Sequence, residues 1–333
     1  MISISEEERE KALDSCIIHT QHPELKEPYR GKVRDVYQLQ NDLLGIVVTD
    51  RISAFDHVMK QAIPFKGQIL NQLSAFGFDK VKDIVPIHVV DVPHPNITIA
   101  KKCELIPIEV VIRACLTGHA WRTYQSGLRE LCGVRLPSGM VEHEMFEKPI
   151  LTPATKAIEG HDEDISEDEI LKQGIVSSDL WDQIRKKAFE LFERGSEIAS
   201  KQGLILVDTK YEFGLFNGEL TLIDEVHTSD SSRYFYAEGY EEKLSRGKPQ
   251  RQLSKEFVRE WLMEHGFQGR EGDILPNLPD HFRWNIFKRY AELFETLTGE
   301  TFEPNPTGQF QSEMTEILDQ WTGKNYSQSS IIN

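Results

Sequence analysis

The chain has 333 residues, 39% of them hydrophobic, and a formal net charge of -16 at pH 7. That length exceeds most single cores and implies two lobes of an ordinary soluble globular protein. The acidic balance excludes nucleic acid and anionic membrane as main partners, because both reward clustered Lys and Arg.

The acidic start, with Glu6, Glu7 and Glu8, lacks the basic flank and apolar run of a signal peptide, and no stretch reaches the apolar length of a membrane span. Cys16, Cys103, Cys115 and Cys132 show neither CxxC pairing nor zinc spacing, so they read as reduced thiols of a cytoplasmic protein. Ser5 ahead of the three acids is an N-cap for a short helix to about Cys16.

Tyr29 to Tyr37 places Gly31 in a basic, strand-like segment, with Lys32 and Arg34 on either side of Val33. A glycine at a hairpin tip lets backbone amides approach an anion while the two cations neutralise it; a solvated basic turn explains the same residues. The segment is neither GxxxxGK[ST] nor GxGxxG. After the aliphatic strand Leu43–Val48, the loop Thr49-Asp50-Arg51-Ile52-Ser53-Ala54-Phe55-Asp56 crowds acids, an arginine and a serine, as binding loops and plain turns both do. Ile69, Leu70, Leu73 and Phe76 then have the spacing of a core-facing helix.

Pro107 to Arg113 reads as a strand carrying Glu109 and Arg113 near its ends, and a helix opens at Thr117-Gly118-His119. A helix start beside Arg113 suits a phosphate, although a lone His119 is more often structural. Lys156 stands before the acidic loop of residues 159–164. Ser166 with Glu169 makes a capping box, and an apolar stripe from Leu180 to Ile198 marks a helix ending at Gly203.

That helix leads into Leu204-Ile205-Leu206-Val207-Asp208-Thr209-Lys210-Tyr211-Glu212-Phe213-Gly214. Strand alternation puts Asp208, Lys210 and Glu212 on one face. Asn217-Gly218 turns the chain back, so Asp224 and Glu225 are expected beside Asp208 and Glu212, four carboxylates around one ammonium. Oxygen-only ligands of this kind suit Mg2+ completed by substrate phosphates; a solvated hairpin with salt bridges is the plainer alternative. Beyond it come a hydroxyl-rich loop ending in Arg233, a helix from about Ser254, another from Asp280 to about Leu297, and a polar tail.

In their order, Gly31-Lys32-Val33-Arg34-Asp35, the Thr49–Asp56 loop, Pro107–Arg113, Thr155-Lys156, Val207–Gly214, Asp224-Glu225 and Asp230-Ser231-Ser232-Arg233 resemble the phosphoribosylaminoimidazole-succinocarboxamide synthase (SAICAR synthetase) family, over most of the chain from Tyr29 to Leu262. The length is similar to that of its longer, fungal-type members. The resemblance implies a two-lobed α+β or α/β fold, related to ATP-grasp and kinase-like architectures, with ATP in the cleft. Residues 1–110 would form a small β-rich nucleotide-binding lobe, and 111–333 a larger α/β lobe with the metal, substrate and aspartate sites.

It also implies the reaction: ATP, L-aspartate and carboxyaminoimidazole ribotide (CAIR) give SAICAR, ADP and phosphate in purine biosynthesis, through an acyl phosphate. By resemblance, Lys32, Val33, Arg34 and Lys156 would hold ATP phosphates, Leu105, Ile106 and Glu109 would border the adenine, and Glu212 and Asp224 would hold Mg2+. Asp50, Asp208 and Lys210 would form the catalytic set. Ser53, Arg113, His119, Ser232, Arg233, Lys255 and Arg259 would join them around the substrates, with Arg113 and Arg233 on the ribose phosphate. The chain departs from the family where Gly118-His119 replaces a usual Gly-Ser, and where Ser229 replaces a common proline. Small-molecule partners and a monomer or small homo-oligomer are expected. A small-molecule kinase, or a nucleotide-binding protein without catalysis, would share much of the same equipment.

Overall fold

The computed structural model describes residues 5–156, 163–305 and 307–322. The acidic stretch 159–162 and the polar tail lie outside the described residues. Local signals become local structure. Ser5 with Glu8 and Ser166 with Glu169 close capping boxes at the helices Glu6–Asp14 and Glu167–Lys172. Ser177 caps Ser178–Lys201, which buries Trp181, Ile184, Ala188, Leu191 and Phe192 along one stripe. The helix Lys66–Val81 runs a turn further than the spacing predicts: Ile69, Leu70 and Leu73 are buried with Phe78 and Val81, while Phe76 is half-buried under the Lys80 ammonium.

The chain divides into two compact units, Met1–Ala75 with His88–Lys102 and Glu256–Asn333, and Phe76–Ile87 with Cys103–Lys255. An expected boundary at 110/111 would cut the continuous strand Glu104–Cys115, and the segment from Glu256 returns to the N-terminal unit. The physical reason lies in the core of the first unit. Its antiparallel sheet orders Tyr29–Arg30, Arg34–Gln38, Leu43–Val48, Ile97–Lys101 and Val89–His94. Tyr37, Val47, Ile97 and Ile99 of that sheet are buried against Phe310, Met314 and Leu318 of the helix Phe310–Gln320. Apolar area from the chain's end therefore completes a core that the N-terminal strands cannot close alone.

In the second unit the strand order is Met145–Thr155, Glu104–Cys115, Leu204–Phe216, Ser232–Tyr236 and Gln252–Leu253. Leu204–Phe216 is the central strand. One edge pairs with Glu104–Cys115; the other pairs with Ser232–Tyr236 along its first half and Glu219–Ile223 along its second. Asn217 (φ 53°) and Gly218 (φ 82°) join the last pair in the doubly left-handed turn that their types favour. The returning strand stops at Ile223, because Asp224 adopts φ 65°.

Candidate active site

Two charge clusters lie on one face of the central strand. At Glu212, the neighbouring strand places Glu109 directly opposite in register. Facing carboxylates repel unless a cation lies between them, and Lys210 is that cation. Its Nζ donates to Glu109 Oε1 at 2.7 Å and to Glu212 Oε1, and lies 3.9 Å from Asp224 Oδ2. Lys156 donates to the other Glu212 oxygen. Burial works against the Lys210 charge, but Glu212, Asp224 and Glu109 outweigh it and hold the ammonium well above its ordinary pKa.

Further back on the strand, Asp208 pairs in register with Arg113 on one side and Arg233 on the other. Arg113 Nη1 donates to Asp208 Oδ2 and Arg233 Nε to Asp208 Oδ1, each at 3.0 Å, while Arg113 Nε donates to Thr152 Oγ1 at 2.8 Å. Two guanidiniums share one buried carboxylate, which leaves positive charge for an anion. Burial lowers the Arg113 pKa, with Asp208 opposing it. Gly118 makes room for this pair: a Cβ there would lie 2.0 Å from Arg233 Nη1.

The cluster differs from the expected four carboxylates. Asp208 stands four residues from Glu212, about 13 Å along a strand, and a bulge between Leu206 and Asp208 sets it against the arginines. Glu225, which follows the left-handed Asp224, accepts the Thr228 hydroxyl at 2.7 Å. Glu109 completes the trio around Lys210 instead.

Other expected residues take separate places. In the first unit, Gly31 N–H donates to Arg34 O at 2.8 Å, closing a turn over Lys32 and Val33, and Lys32 pairs with Asp56. Asp50 is buried, and its carboxylate accepts the N–H groups of Ile17 at 2.8 Å and Gly67 at 2.9 Å. This ties the start of the Lys66–Val81 helix to the preceding chain, so the carboxylate placed in the catalytic set is already occupied by backbone. Burial pushes its pKa up to about 6. Ser53 is buried in the short strand Ser53–Ala54, and Arg259 pairs with Glu256 at 2.8 Å.

In the second unit, Leu105 is exposed and Ile106 buried. Ser232 Oγ meets Thr209 Oγ1 at 2.8 Å, and Lys255 lies 3.6 Å from Asp230. His119 Nε2 meets Asp164 Oδ2 at 2.7 Å, a bond that lowers the Asp164 pKa. Sequence reading missed the underside of the central strand, where Tyr211 Oη meets His227 Nε2 at 2.7 Å, both residues buried. It also missed the anchoring of Asp35 and Arg51; the only signal was their presence in charged motifs.

A lysine held among three carboxylates and a carboxylate held between two arginines thus share one strand of an antiparallel sheet in an α+β protein. Residues 27–273 match the SAICAR synthetase family. The phosphoribosylaminoimidazole-succinocarboxamide synthase of Bacteroides thetaiotaomicron is 54% identical over 286 residues, 86% of this chain and 91% of that protein. That of Legionella pneumophila strain Paris is 41% identical over 92% of this chain and 99% of its own length. Among solved structures, SAICAR synthase from Saccharomyces cerevisiae complexed with SAICAR aligns with TM-score 0.75 and 33% identity, over 86% of this chain and all of that one. A type-2 SAICAR synthetase in complex with ADP aligns with TM-score 0.65 and 26% identity, over 84% of this chain and all of its own. The chain belongs to the SAICAR synthetase family.

Proposed function

We propose that the Lys210 centre carries phosphoryl transfer and that Arg113, Asp208 and Arg233 seat the substrate phosphate. The reaction is that of the family: an ATP-dependent ligation of L-aspartate to the carboxylate of CAIR, giving SAICAR, ADP and phosphate. A carboxylate is a poor acyl donor. Its oxygen attacks the γ-phosphorus and ADP leaves; the aspartate amine then attacks the acyl carbon and phosphate leaves. This needs charge neutralisation and positioning rather than an enzyme nucleophile.

The observation that carries the assignment is the spacing on one strand face. Asp208 with its two arginines lies two residues from Lys210, about 7 Å away, so an anion held at one end sets a substrate alongside the ammonium. Lys210 and Lys156 offset negative charge on the phosphoryl group and the attacking carboxylate. By resemblance to the family, Lys32, Val33 and Arg34 of the first unit are read as nucleotide-phosphate contacts. Asp50 acts through the backbone it holds.

Glu212 and Asp224 present only hard oxygen donors, which fit Mg2+ bound by one or two carboxylates plus phosphate oxygens. Among the described residues, no group of three or more His, Cys, Asp or Glu is arranged to hold a metal alone. Glu212 and Asp224 would hold the ion, whose chemistry when bound is to neutralise the transferring phosphoryl group. Four free cysteines support a reducing, cytoplasmic location.

A coupled ADP assay with each substrate omitted in turn tests the reaction: ADP release should require both CAIR and aspartate. Release with CAIR alone would mark a kinase instead. Asp224→Ala and Glu212→Ala should each lower kcat by about a hundredfold or more, with a much smaller effect on unfolding. Near-normal turnover of either variant with Mg2+ present would refute the metal assignment.

A further inference from the structure

We infer that Arg51, braced by Asp35, is a positioning residue that aims the N–H groups of Lys32 and Val33 at the phosphate tail of a nucleoside triphosphate. The inference rests on the reading of this turn as a nucleotide contact. Arg51 is 6% exposed, and its guanidinium is drawn almost wholly into backbone. Nη2 donates to Gly31 O at 3.0 Å, Nε to Lys32 O at 3.3 Å, and Nη1 to Ile18 O. The same Nη2 donates to Asp35 Oδ1 at 2.8 Å.

Asp35 has no exposed surface and is itself held from three further donors: Thr20 N–H at 3.0 Å, the Thr20 hydroxyl at 2.8 Å and Arg30 Nη1 at 2.9 Å. Its position is therefore over-determined, and it fixes Arg51. The described peptides are all trans, and in a trans peptide the C=O and N–H point opposite ways. Drawing the carbonyls of Gly31 and Lys32 onto Arg51 turns the N–H groups of Lys32 and Val33 away from it. Neither of those N–H groups has a backbone partner among the described residues. The next carbonyl, Val33 O, is pinned by Thr49 N–H at 3.0 Å and the Thr49 hydroxyl at 2.9 Å. Three successive carbonyls face inward, and successive outward amides in such a turn form an anion-binding concavity. A lysine could not replace Arg51, since the planar fork supplies several donors at fixed angles.

The test measures the dissociation constant of ADP by calorimetry on the full chain, with KM values for ATP, CAIR and aspartate. Arg51→Lys should weaken ADP and raise the ATP KM about tenfold, leaving the other two KM values within about twofold. Asp35→Asn, nearly isosteric, should do the same and carries the test if Arg51→Lys does not fold. An ATP KM unchanged in a folded variant overturns the inference. So does an equal rise in all three KM values, the mark of a merely structural role. Val33→Pro, which removes one of the two N–H groups, separates the two layers. Unchanged ADP binding there removes the nucleotide reading and the inference with it, whereas weakened ADP binding beside a neutral Arg51→Lys removes the inference alone.

Discussion

Gly118 shows how one missing methyl can decide a site. It sits at φ 55°, and an added Cβ would lie 2.0 Å from Arg233 Nη1 and 2.2 Å from Nη2. Gly118→Ala should therefore push Arg233 off Asp208, raising the KM for CAIR by about tenfold and costing about 1 to 3 kcal/mol of stability through the left-handed backbone alone. Steady-state kinetics with urea unfolding checks both. The adjacent His119 predicts the opposite. Its side chain and that of Asp164 are 43% and 44% exposed, and an exposed pair of this kind contributes roughly 0 to 1 kcal/mol. His119→Ser should leave the CAIR KM within a few-fold; a rise beyond about tenfold would give the imidazole a role of its own. In the sequence His119 stood out as the departure from Gly-Ser and Gly118 as the glycine that the pattern keeps, but their partners did not. Arg233 and Asp164 lie far along the chain, and no local spacing relates them.

At the scale of elements, the helix Ser178–Lys201 and the central strand are joined through Gly195. Alanine usually improves a helix interior by about 1 kcal/mol over glycine. Here a Cβ would lie 2.5 Å from His227 Cε1 and Nε2. That ring cannot easily retreat, because His227 is buried at φ 57° and bonded to Tyr211. Overpacking therefore reverses the sign, and Gly195→Ala should destabilise by about 1 to 3 kcal/mol in urea unfolding. It should also lower kcat, since Tyr211 follows Lys210 on the strand. The helix, its cap and the hairpin turn were readable from spacing. The need for glycine at 195 was not, because it arises from a residue that reaches the helix only after the chain has crossed the sheet twice.

For the whole molecule, two buried groups oppose each other in pH. Burial holds His227 down at about 4 from an ordinary 6.5, so the unfolded chain binds more protons between those values and stability falls on acidification through that window. Asp50 is raised from 3.8 to about 6, so the folded state binds more protons there and stability rises on acidification. Each effect amounts to about 3 kcal/mol at its limit, and together they largely cancel. His227→Gln removes one of them. Relative to the parent, the variant should gain about 2 kcal/mol on going from pH 7 to pH 4.5, measured by urea unfolding at both. A difference independent of pH would show that His227 is not held neutral.

The alternation of Asp208, Lys210 and Glu212, the Asn217-Gly218 turn and the helix caps followed from residues within a few positions of one another, so the sequence alone determined them and most of the chemistry on that strand. Which carboxylate met which cation was decided only in three dimensions. A bulge beside Asp208 set it between two arginines, cross-strand register brought Glu109 to Lys210, and the helix Phe310–Gln320 returned to complete the first core. Alternation and turn geometry are properties of a short stretch of backbone. Register and core closure depend on packing between segments well apart in the chain, such as the 25 residues between Asp208 and Arg233 and the 101 between Glu109 and Lys210, where no local pattern carries the information.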